Sequence, residues 1–524
     1  MRQQYRSRRP AAEVVSARAT GAAGDDQKWP EGSHGRVDAG PAHAGGLASV
    51  PEAELSRRVA ARNAAAFAPS RGPSAAAVQK ARAAGLAKVG RQVGRRFSWG
   101  LADQGMSSLS NSAVSIYVLH ELGYAQFGAF SLAYVTYSFV LNASRGLGTD
   151  PLVVRYSGTD TRTWRRAVAS SSGTAFFVGI VAAVGALAAA FLLSGTARLA
   201  FLALAVTLPG LMLQDSWRYA FFAAGRGQHA FINDSIWTFS MIPGLVILKI
   251  AHDASVFTFV LVWGAAACLA AAIGPLQAGV IPKPWAIRSW VSRHRDLAPR
   301  YLAENTANSA AGQFRTYAVG FILGLTAVGY VQASSTLMGP FMVVLMGISL
   351  VTVPEAARML RRSTKHLRLY CIALGAVLAL AAMAWGGILL VAMPRGLGQL
   401  LVHNDWRGTY ALVLPASLSI AGACVISGAS AGLRALAASR RSLPSQIVAS
   451  VIYITGGVLG AYIDGAVGSV YGVAIGVWIG AGVWWWQLRR ALRSASIVSS
   501  EDRSAGRSSG RHARARPTPA APGL

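Results

Sequence analysis

Charged and amide side chains interrupt several long apolar segments of this sequence, and they are the residues best able to bind a polar ligand. In one segment they recur at steps of three or four, which places them on one helical face: Asp103, Ser107, Ser110 and Asn111. A later segment repeats the arrangement with Glu304, Asn308, Gly312 and Arg315. An ionised group at mid-bilayer costs about 2.5–3.5 kcal/mol on insertion scales, so each is expected to face protein or water.

Two such faces, opposed across the molecule, would line a water-filled cavity. The alternative for Asp103 and Glu304 is a position at the inner membrane interface, because both lie in the first turns of their helices. Arg315 lies past the midpoint of its helix, and its alternative is a structural ion pair.

Other polar residues near the inner ends of apolar segments have two interpretations each. Asp215 and Arg218 are three residues apart and able to pair, so a structural pair with a snorkelling arginine is favoured. Arg145 and Arg155 flank the end of a helix, where they would either meet a phosphate or supply ordinary inner-loop charge. The adjacent Asn233 and Asp234 are expected at the interface.

Composition identifies the class of protein. The 524 residues are 53% hydrophobic and 14% charged, whereas soluble domains average about 25% charged residues. The net charge of +29 would suggest nucleic acid in a soluble protein, but here the basic clusters lie between apolar spans. Basic loops of membrane proteins lie in the cytoplasm and meet anionic lipid headgroups. Membrane lipids, and not nucleic acid, are therefore the expected partners.

The apolar runs predict an all-α transmembrane fold of about twelve helices in two six-helix bundles with a central cavity. The predicted spans are 97–119, 124–144, 167–193, 199–223, 229–250 and 254–279, then 301–323, 327–353, 368–393, 409–433, 444–463 and 467–488. The predicted domains are a disordered basic arm (1–96), an N-terminal lobe (97–279), a linker (280–300), a C-terminal lobe (301–490) and a disordered tail (491–524).

Loop charge orients these helices. The predicted cytoplasmic loops hold 19 Lys or Arg residues, whereas the predicted outer loops hold only 4. This asymmetry follows the positive-inside rule and predicts a multi-pass protein of the inner membrane with both termini in the cytoplasm.

An internal repeat relates the two lobes. At an offset of 201 residues, Leu122, Gly123 and Gly128 match Leu323, Gly324 and Gly329. The match covers the first helix of each six-helix set and the turn after it. Six helices return the chain to the cytoplasm, so the repeats run parallel about an axis along the membrane normal.

Several chemistries lack their motifs. The sequence has no GxxxxGK[ST] loop and no HExxH, and Cys268, Cys371 and Cys424 lie singly in apolar spans. These patterns give no indication of an ATP-driven pump, a zinc site or a disulfide framework. The outer loops are short, which argues against a membrane enzyme, and neither a cofactor nor a metal is expected.

The stretch ADQGMSSLSNSAVSIYVLHELGYAQFGAFSLAY (102–134) resembles the opening of bacterial polysaccharide-export flippases of the multidrug/oligosaccharidyl-lipid/polysaccharide superfamily. The first helix there runs into a similar L-G-x-x-x-[FY]-G turn, here residues 122–128. Residues 208–226 and 329–359 look like the fourth and eighth helices of that family. The resemblance spans about 97–490 and carries little information about the substrate.

The resemblance implies two bundles around a V-shaped cavity and an activity without covalent chemistry: flipping a polyprenyl-diphosphate-linked oligosaccharide for polysaccharide biosynthesis. Arg315 would then be the leading phosphate-binding residue, since guanidinium forks suit phosphate oxygens. A polysaccharide polymerase or glycosyltransferases would be partners. Two alternatives stay open: a cation-coupled multidrug exporter using Asp103 or Asp215, and a scaffold in a cell-wall assembly complex.

Overall fold

The computed structural model describes residues 75–402, 405–436 and 438–514, and the polypeptide in these ranges is helical without any strand. Most of the predicted basic arm, and the last ten residues, lie outside the described residues. Two long helices extend past their predicted limits: α1 (Ala75–Ser144) begins before residue 97, and α14 (Ser439–Arg514) ends after residue 488. Residues 75–96 are rich in Ala, Arg and Lys, which are strong helix formers.

The N-terminal half contains six α-helices and one π-helical turn between residues 75 and 278. In chain order they are α1 (Ala75–Ser144), a π-helical turn (Arg145–Thr149), α2 (Asp150–Tyr156), α3 (Thr161–Leu192), α4 (Gly195–Ala223), α5 (Gly227–Ala251) and α6 (Val256–Ala278). A short helix in the connection that follows is α7 (Ile287–Arg293). Helices α3 to α6 pack around a core that includes the fully buried Leu204, Leu208 and Leu211.

The C-terminal half repeats this arrangement with one break. Its helices are α8 (Ala298–Leu323), α9 (Leu325–Leu337), α10 (Gly339–Arg362), α11 (Thr364–Ala392), α12 (Leu397–Val402), α13 (Trp406–Ala435) and α14 (Ser439–Arg514). The predicted span 327–353 is divided at Met338, next to Gly339 and Pro340, because proline has no amide to continue the hydrogen-bond ladder. Two predicted spans lie within α14, which bends at Asp464 and Gly465.

The internal repeat is confirmed at the level of the backbone. Gly123 has φ 72° and ψ 176°, and Gly324 has φ 82° and ψ 178°. Both glycines end the first helix of their half and start the second in the same non-helical conformation. A positive φ is unfavourable for residues with a Cβ atom, which explains why the sequence repeats glycine at this offset.

The protein is a multi-pass membrane protein. Seven helical segments of the described ranges are long and apolar enough to cross a membrane, judged by length and composition. Large apolar side chains such as Phe321 and Ile463 are exposed on the helix surfaces, as expected where lipid replaces water. Helices α1 and α8, which carry the polar faces identified in the sequence, are not among these seven.

Candidate functional site

A polar cavity of about 370 Å³ lies inside the helical region. Its walls come from α1, the π-helical turn, α4, α5 and the start of α10. Uncharged polar side chains form much of the lining: Gln104, Ser107, Ser108, Asn111, Ser112, Ser138 and Gln214. Three aromatic side chains add flat surfaces: Tyr134, Tyr137 and Trp237. The polar face predicted for the first helix therefore borders a cavity, and Asn111 is part of its wall.

Arg145 forms the first of two buried ion-pair groups in this cavity. Its Nε and Nη2 atoms donate to the two carboxylate oxygens of Asp215 at 2.9 and 2.7 Å. The guanidinium also lies over the Tyr219 ring, 5.0 Å from the centroid. Such a two-point contact fixes the plane of the guanidinium as well as its position.

A π-helical turn carries Arg145 and gives it this direction. The turn, Arg145–Thr149, contains Gly146 and Gly148 and joins α1 to α2. π-Helical turns are rare in proteins and occur often at functional sites. The sequence predicts that Arg145 flanks the end of a helix. In the structure the helical backbone continues through Arg145, and its side chain is largely buried.

Arg218 is the centre of the second group. Its Nε lies 2.5 Å from Asp103 Oδ2 and 3.6 Å from Asp234 Oδ2, and its Nη2 donates to Gln104 Oε1 at 3.2 Å. The expected pairing of Arg218 with Asp215 is therefore wrong. Both residues lie on α4, but Asp215 pairs with Arg145 of the π-helical turn, whereas Arg218 pairs with acidic residues of α1 and α5.

A hydrogen-bond chain extends this group to α6. Gln214 donates to Asp234 at 2.8 Å and to Asn233 at 3.3 Å. Asn233 in turn donates to the Ala270 carbonyl at 3.0 Å and to Gln277 at 2.8 Å. Asn233 and Asp234 are buried between the helices and are not exposed on the protein surface. These bonds join α4, α5 and α6.

The charges of the two groups do not cancel. Among the described residues, Asp103, Asp215 and Asp234 form ion pairs with two cations, Arg145 and Arg218, which leaves one carboxylate in excess when all five groups are ionised. Asp103 is fully buried, and its Oδ1 atom has no hydrogen-bond partner in the described part of the chain. An ionised carboxylate with an unsatisfied oxygen is costly away from water. The site thus has the means to take up a proton or a cation.

The candidate residues of the second half lie elsewhere. Arg315 is not in the cavity wall: its guanidinium lies 5.5 Å from the Tyr453 ring centroid on α14, and its buried Nε has no hydrogen-bond partner. Glu304 is exposed on α8, and the side chain of Asn308 lies outside the described residues. Arg155 pairs with Asp296 at 2.5 Å on the exposed surface, away from the cavity.

Some cavity residues were not singled out from the sequence. The aromatic wall of Tyr134, Tyr137 and Trp237 has the appearance of ordinary core residues in an apolar run. Gln214 gave a better signal, because it adjoins Asp215 in the middle of an apolar helix. Among the described residues, no three His, Cys, Asp or Glu side chains converge closely enough to hold a metal ion.

The two repeat turns meet at the predicted outer end of the cavity. A Cβ atom on Gly128 would clash with the carbonyl oxygen of Leu325. A Cβ atom on Gly329 would clash with the backbone carbonyl oxygen of Tyr124. The Tyr124 and Tyr330 rings lie 4.0 Å apart between centroids. The contact is reciprocal: each turn places its glycine against the backbone of the other.

The halves also meet at the predicted inner end. A Cβ atom on Gly146 would lie 2.5 Å from the Leu302 nitrogen of α8. Asn305 donates to Asp150 at 2.7 Å nearby. Along the chain, the cavity-lining stretch from Tyr134 to Arg145 lies between these two contacts, at Gly128 and Gly146.

Solved structures of membrane transporters have a similar fold. An inward-facing multidrug resistance MATE family transporter of the MOP superfamily superposes with a TM-score of 0.54 at 15% identity, covering 74% of this chain and 96% of that one. The lipid II flippase MurJ in an inward closed conformation gives a TM-score of 0.55 at 11% identity, over 76% and 90%.

The fold is the one these transporters share. A MATE structure in the straight conformation agrees, with a TM-score of 0.51 at 13% identity over 77% of this chain and 96% of that one. No family model and no curated protein sequence matches the chain. The two-bundle fold expected from the sequence is confirmed.

Proposed function

We propose that this protein is a transporter of the multidrug/oligosaccharidyl-lipid/polysaccharide superfamily that flips a polyprenyl-diphosphate-linked oligosaccharide across the inner membrane. The observation that carries the proposal is the cavity, which combines seven hydroxyl or amide side chains with two arginines inside a membrane-spanning fold. The hydroxyl groups and the oxygens of a sugar need such donors and acceptors. The aromatic rings offer apolar faces to the pyranose ring.

The diphosphate would bind the two arginines. Arg145 and Arg218 now contact carboxylates, and a diphosphate offers oxygens of the same geometry and greater charge. In this scheme the arriving anion displaces Asp215 from Arg145, and the released carboxylate becomes a proton or cation acceptor. The prenyl chain stays in lipid. Arg315, against Tyr453 and outside the cavity wall, is less suited to this role.

Alternating access would proceed through the two contacts between the halves. Parting of Gly128 from Leu325 and of Gly329 from Tyr124 would open the cavity outward, and parting of Gly146 from Leu302 would open it inward. Transport of this kind breaks no covalent bond, so no catalytic residue is proposed. Partner polymerases or glycosyltransferases would supply and consume the substrate.

The second candidate is a cation-coupled exporter of the same superfamily. One observation favours it: the excess carboxylate and the unpartnered Asp103 Oδ1 suit a proton or Na⁺ more directly than an anion. The two candidates share the cavity and differ in the charge of the transported molecule. A scaffold that transports nothing is a third possibility, and it predicts that cavity variants leave polysaccharide output unchanged.

A charge-balanced pair of variants tests the first proposal. Arg145→Gln alone leaves Asp215 buried without its partner and is expected to lower the amount of protein in the membrane. The double variant Arg145→Gln/Asp215→Asn removes both charges and should restore that amount. If Arg145 binds the diphosphate, the double variant still fails to export polysaccharide and accumulates the lipid-linked intermediate on the inner side.

The control is a matched pair outside the cavity. Arg155→Gln/Asp296→Asn removes an exposed ion pair of the same kind and should leave both abundance and export unchanged. Normal export from the cavity double variant, at normal abundance, would contradict the role of Arg145. Export of polysaccharide unchanged together with lost resistance to cationic drugs would favour the cation-coupled exporter.

A further inference from the structure

A second cavity, also of about 370 Å³, lies at the predicted inner ends of α11 and α14. Six residues line it: Thr364, Lys365, Arg368, Arg489, Leu492 and Arg493. Four of these six are cationic and none is acidic. It shares no lining residue with the cavity described above.

The helices hold these four charges together. Lys365 and Arg368 are three residues apart on α11, and Arg489 and Arg493 are four apart on α14, so each pair lies on one helical face. Beneath them Leu367 is fully buried in a core shared by α11, α13 and α14. Because that core holds the helices in place, the backbone positions that carry the four charges stay close together.

A pocket lined by four cationic side chains attracts anions, and the surroundings indicate what kind of anion. Leu369 and Trp486, which lie close in sequence to the pocket residues, are large, apolar and exposed. Arg490 lies over the Trp486 ring, 4.5 Å from the centroid. Exposed apolar side chains beside basic ones, at the end of membrane helices, are typical of the lipid–water interface.

The orientation of α11 adds a second electrostatic contribution. The helix begins at Thr364 with Ser363 as its N-cap, whose hydroxyl accepts from the His366 amide. The amino end of a helix carries a partial positive charge. The pocket therefore combines four cationic side chains with a positive helix end, at the predicted inner end of the helices.

We propose that this pocket binds the phosphate of an anionic phospholipid from the inner leaflet and thereby holds α11 and α14 together. Basic pockets between membrane helices on the cytoplasmic side suit lipid headgroups. The diphosphate of a polyprenyl carrier has related chemistry. The phospholipid is favoured because the pocket is separate from the cavity and borders exposed apolar side chains.

Thermal unfolding of the purified full-length protein in detergent, with added lipid, tests the proposal. Phosphatidylglycerol should raise the midpoint temperature by a few degrees over the same amount of phosphatidylcholine, since a ligand of the folded state stabilises it. The variant Arg489→Gln/Arg493→Gln should lose most of that rise.

The matched control removes two other exposed arginines four residues apart at a predicted inner helix end, Arg162→Gln/Arg166→Gln on α3. It should keep the rise. An equal rise in both double variants would overturn the proposal, because the effect would then be general charge attraction. A rise with a polyprenyl diphosphate but not with phosphatidylglycerol would also overturn it, by assigning the pocket to the carrier.

Native mass spectrometry covers the case in which Arg489→Gln/Arg493→Gln does not fold. The wild-type protein should retain phosphatidylglycerol in preference to phosphatidylcholine, and Arg489→Lys/Arg493→Lys should retain it too, because the charges remain. A wild-type protein that shows no preference for phosphatidylglycerol would contradict the proposal, and this result does not depend on the folding of a variant.

Discussion

The two halves of this molecule share a backbone design but not a chemistry. Gly123 and Gly324 adopt the same unusual conformation at the same point of each half. Yet the N-terminal half holds five charged side chains in two buried groups around one cavity. At the corresponding place the C-terminal half has an exposed Glu304 and an Arg315 packed on an aromatic ring.

Under the proposed function, the repeat would supply movement and the N-terminal half would supply binding. Reciprocal glycine contacts need both halves, because each turn rests on the backbone of the other. A binding group needs to occur only once. Helix α8 retains the polar periodicity of α1, but its deep charge packs against α14 rather than facing the cavity.

The largest effect is expected for Arg218→Ala. This change leaves Asp103 and Asp234 buried without a positive partner, which costs about 3–5 kcal/mol for a buried pair. The amount of folded protein in the membrane should fall sharply. Adding Asp103→Asn and Asp234→Asn should recover much of it, and a failure of this rescue would show that the guanidinium acts through packing and not charge.

The reciprocal contact should respond next. Gly128→Ala and Gly329→Ala each place a methyl group into a backbone carbonyl of the other half. We expect the predicted outer ends to separate, so that a cysteine at Tyr124, in a protein lacking native cysteines, labels several-fold faster with an impermeant thiol reagent.

The control for this pair is Gly105→Ala, because a methyl group there meets nothing within 4 Å. Alanine also favours the helix. Labelling at the rate of the unsubstituted protein in both Gly128→Ala and Gly329→Ala would show that the turns do not close the outer end.

A smaller effect is expected for Arg315→Ala. The cation–π contact with Tyr453 contributes about 0.5–2 kcal/mol, and no carboxylate is left unpaired by the change. Abundance should fall slightly and export should continue, whereas the Arg145 double variant abolishes export. Loss of export from Arg315→Ala at normal abundance would restore this arginine as the phosphate-binding residue and remove the contrast between the halves.

The smallest effect concerns the connection between the halves. His294 is buried, its Nδ1 lies 2.8 Å from the Trp290 carbonyl, and its Nε2 lies 3.2 Å from the Tyr156 hydroxyl. Burial lowers the pKa of this imidazole below its usual value, so the folded protein favours the neutral ring.

Protonation therefore favours the unfolded chain, and stability should be lost as the pH falls below about 6.5, the usual histidine value. Thermal unfolding in detergent at pH 8 and pH 5 measures the change. His294→Phe should reduce the difference between the two pH values. A protein that is more stable at the lower pH because of this residue would contradict the assignment of a neutral ring.

The hydrophobic segments and the positions of the glycines were the main basis for predicting the fold from the sequence. The predicted spans, the fold class and the repeat at Gly123 and Gly324 follow from local patterns with a direct physical meaning. Asn111 on the polar face of the first helix was also found in the cavity wall. These features depend on periodicity within one helix, which a sequence displays directly.

The pairing of charges could not be predicted in the same way. Asp215 and Arg218 have a spacing that permits a pair on one helix, but their partners come from α1, α5 and the π-helical turn. Partner choice depends on how helices pack. The prediction that Arg315 faces the cavity was wrong for the same reason. The sequence shows which helical face a residue lies on, but it does not show which neighbouring helix covers that face.

The proposed transport of a polyprenyl-diphosphate-linked oligosaccharide takes place through the cavity of the N-terminal half. Its most direct test is reconstitution of the purified protein in liposomes that contain a fluorescent lipid-linked oligosaccharide, with an impermeant reagent that destroys only outer-leaflet label. The wild-type protein should expose nearly all of the label over time. Arg145→Gln/Asp215→Asn, inserted in equal amount, should expose only the outer-leaflet fraction. Equal exposure by both proteins, or none by the wild-type protein with any lipid-linked sugar, would contradict the account.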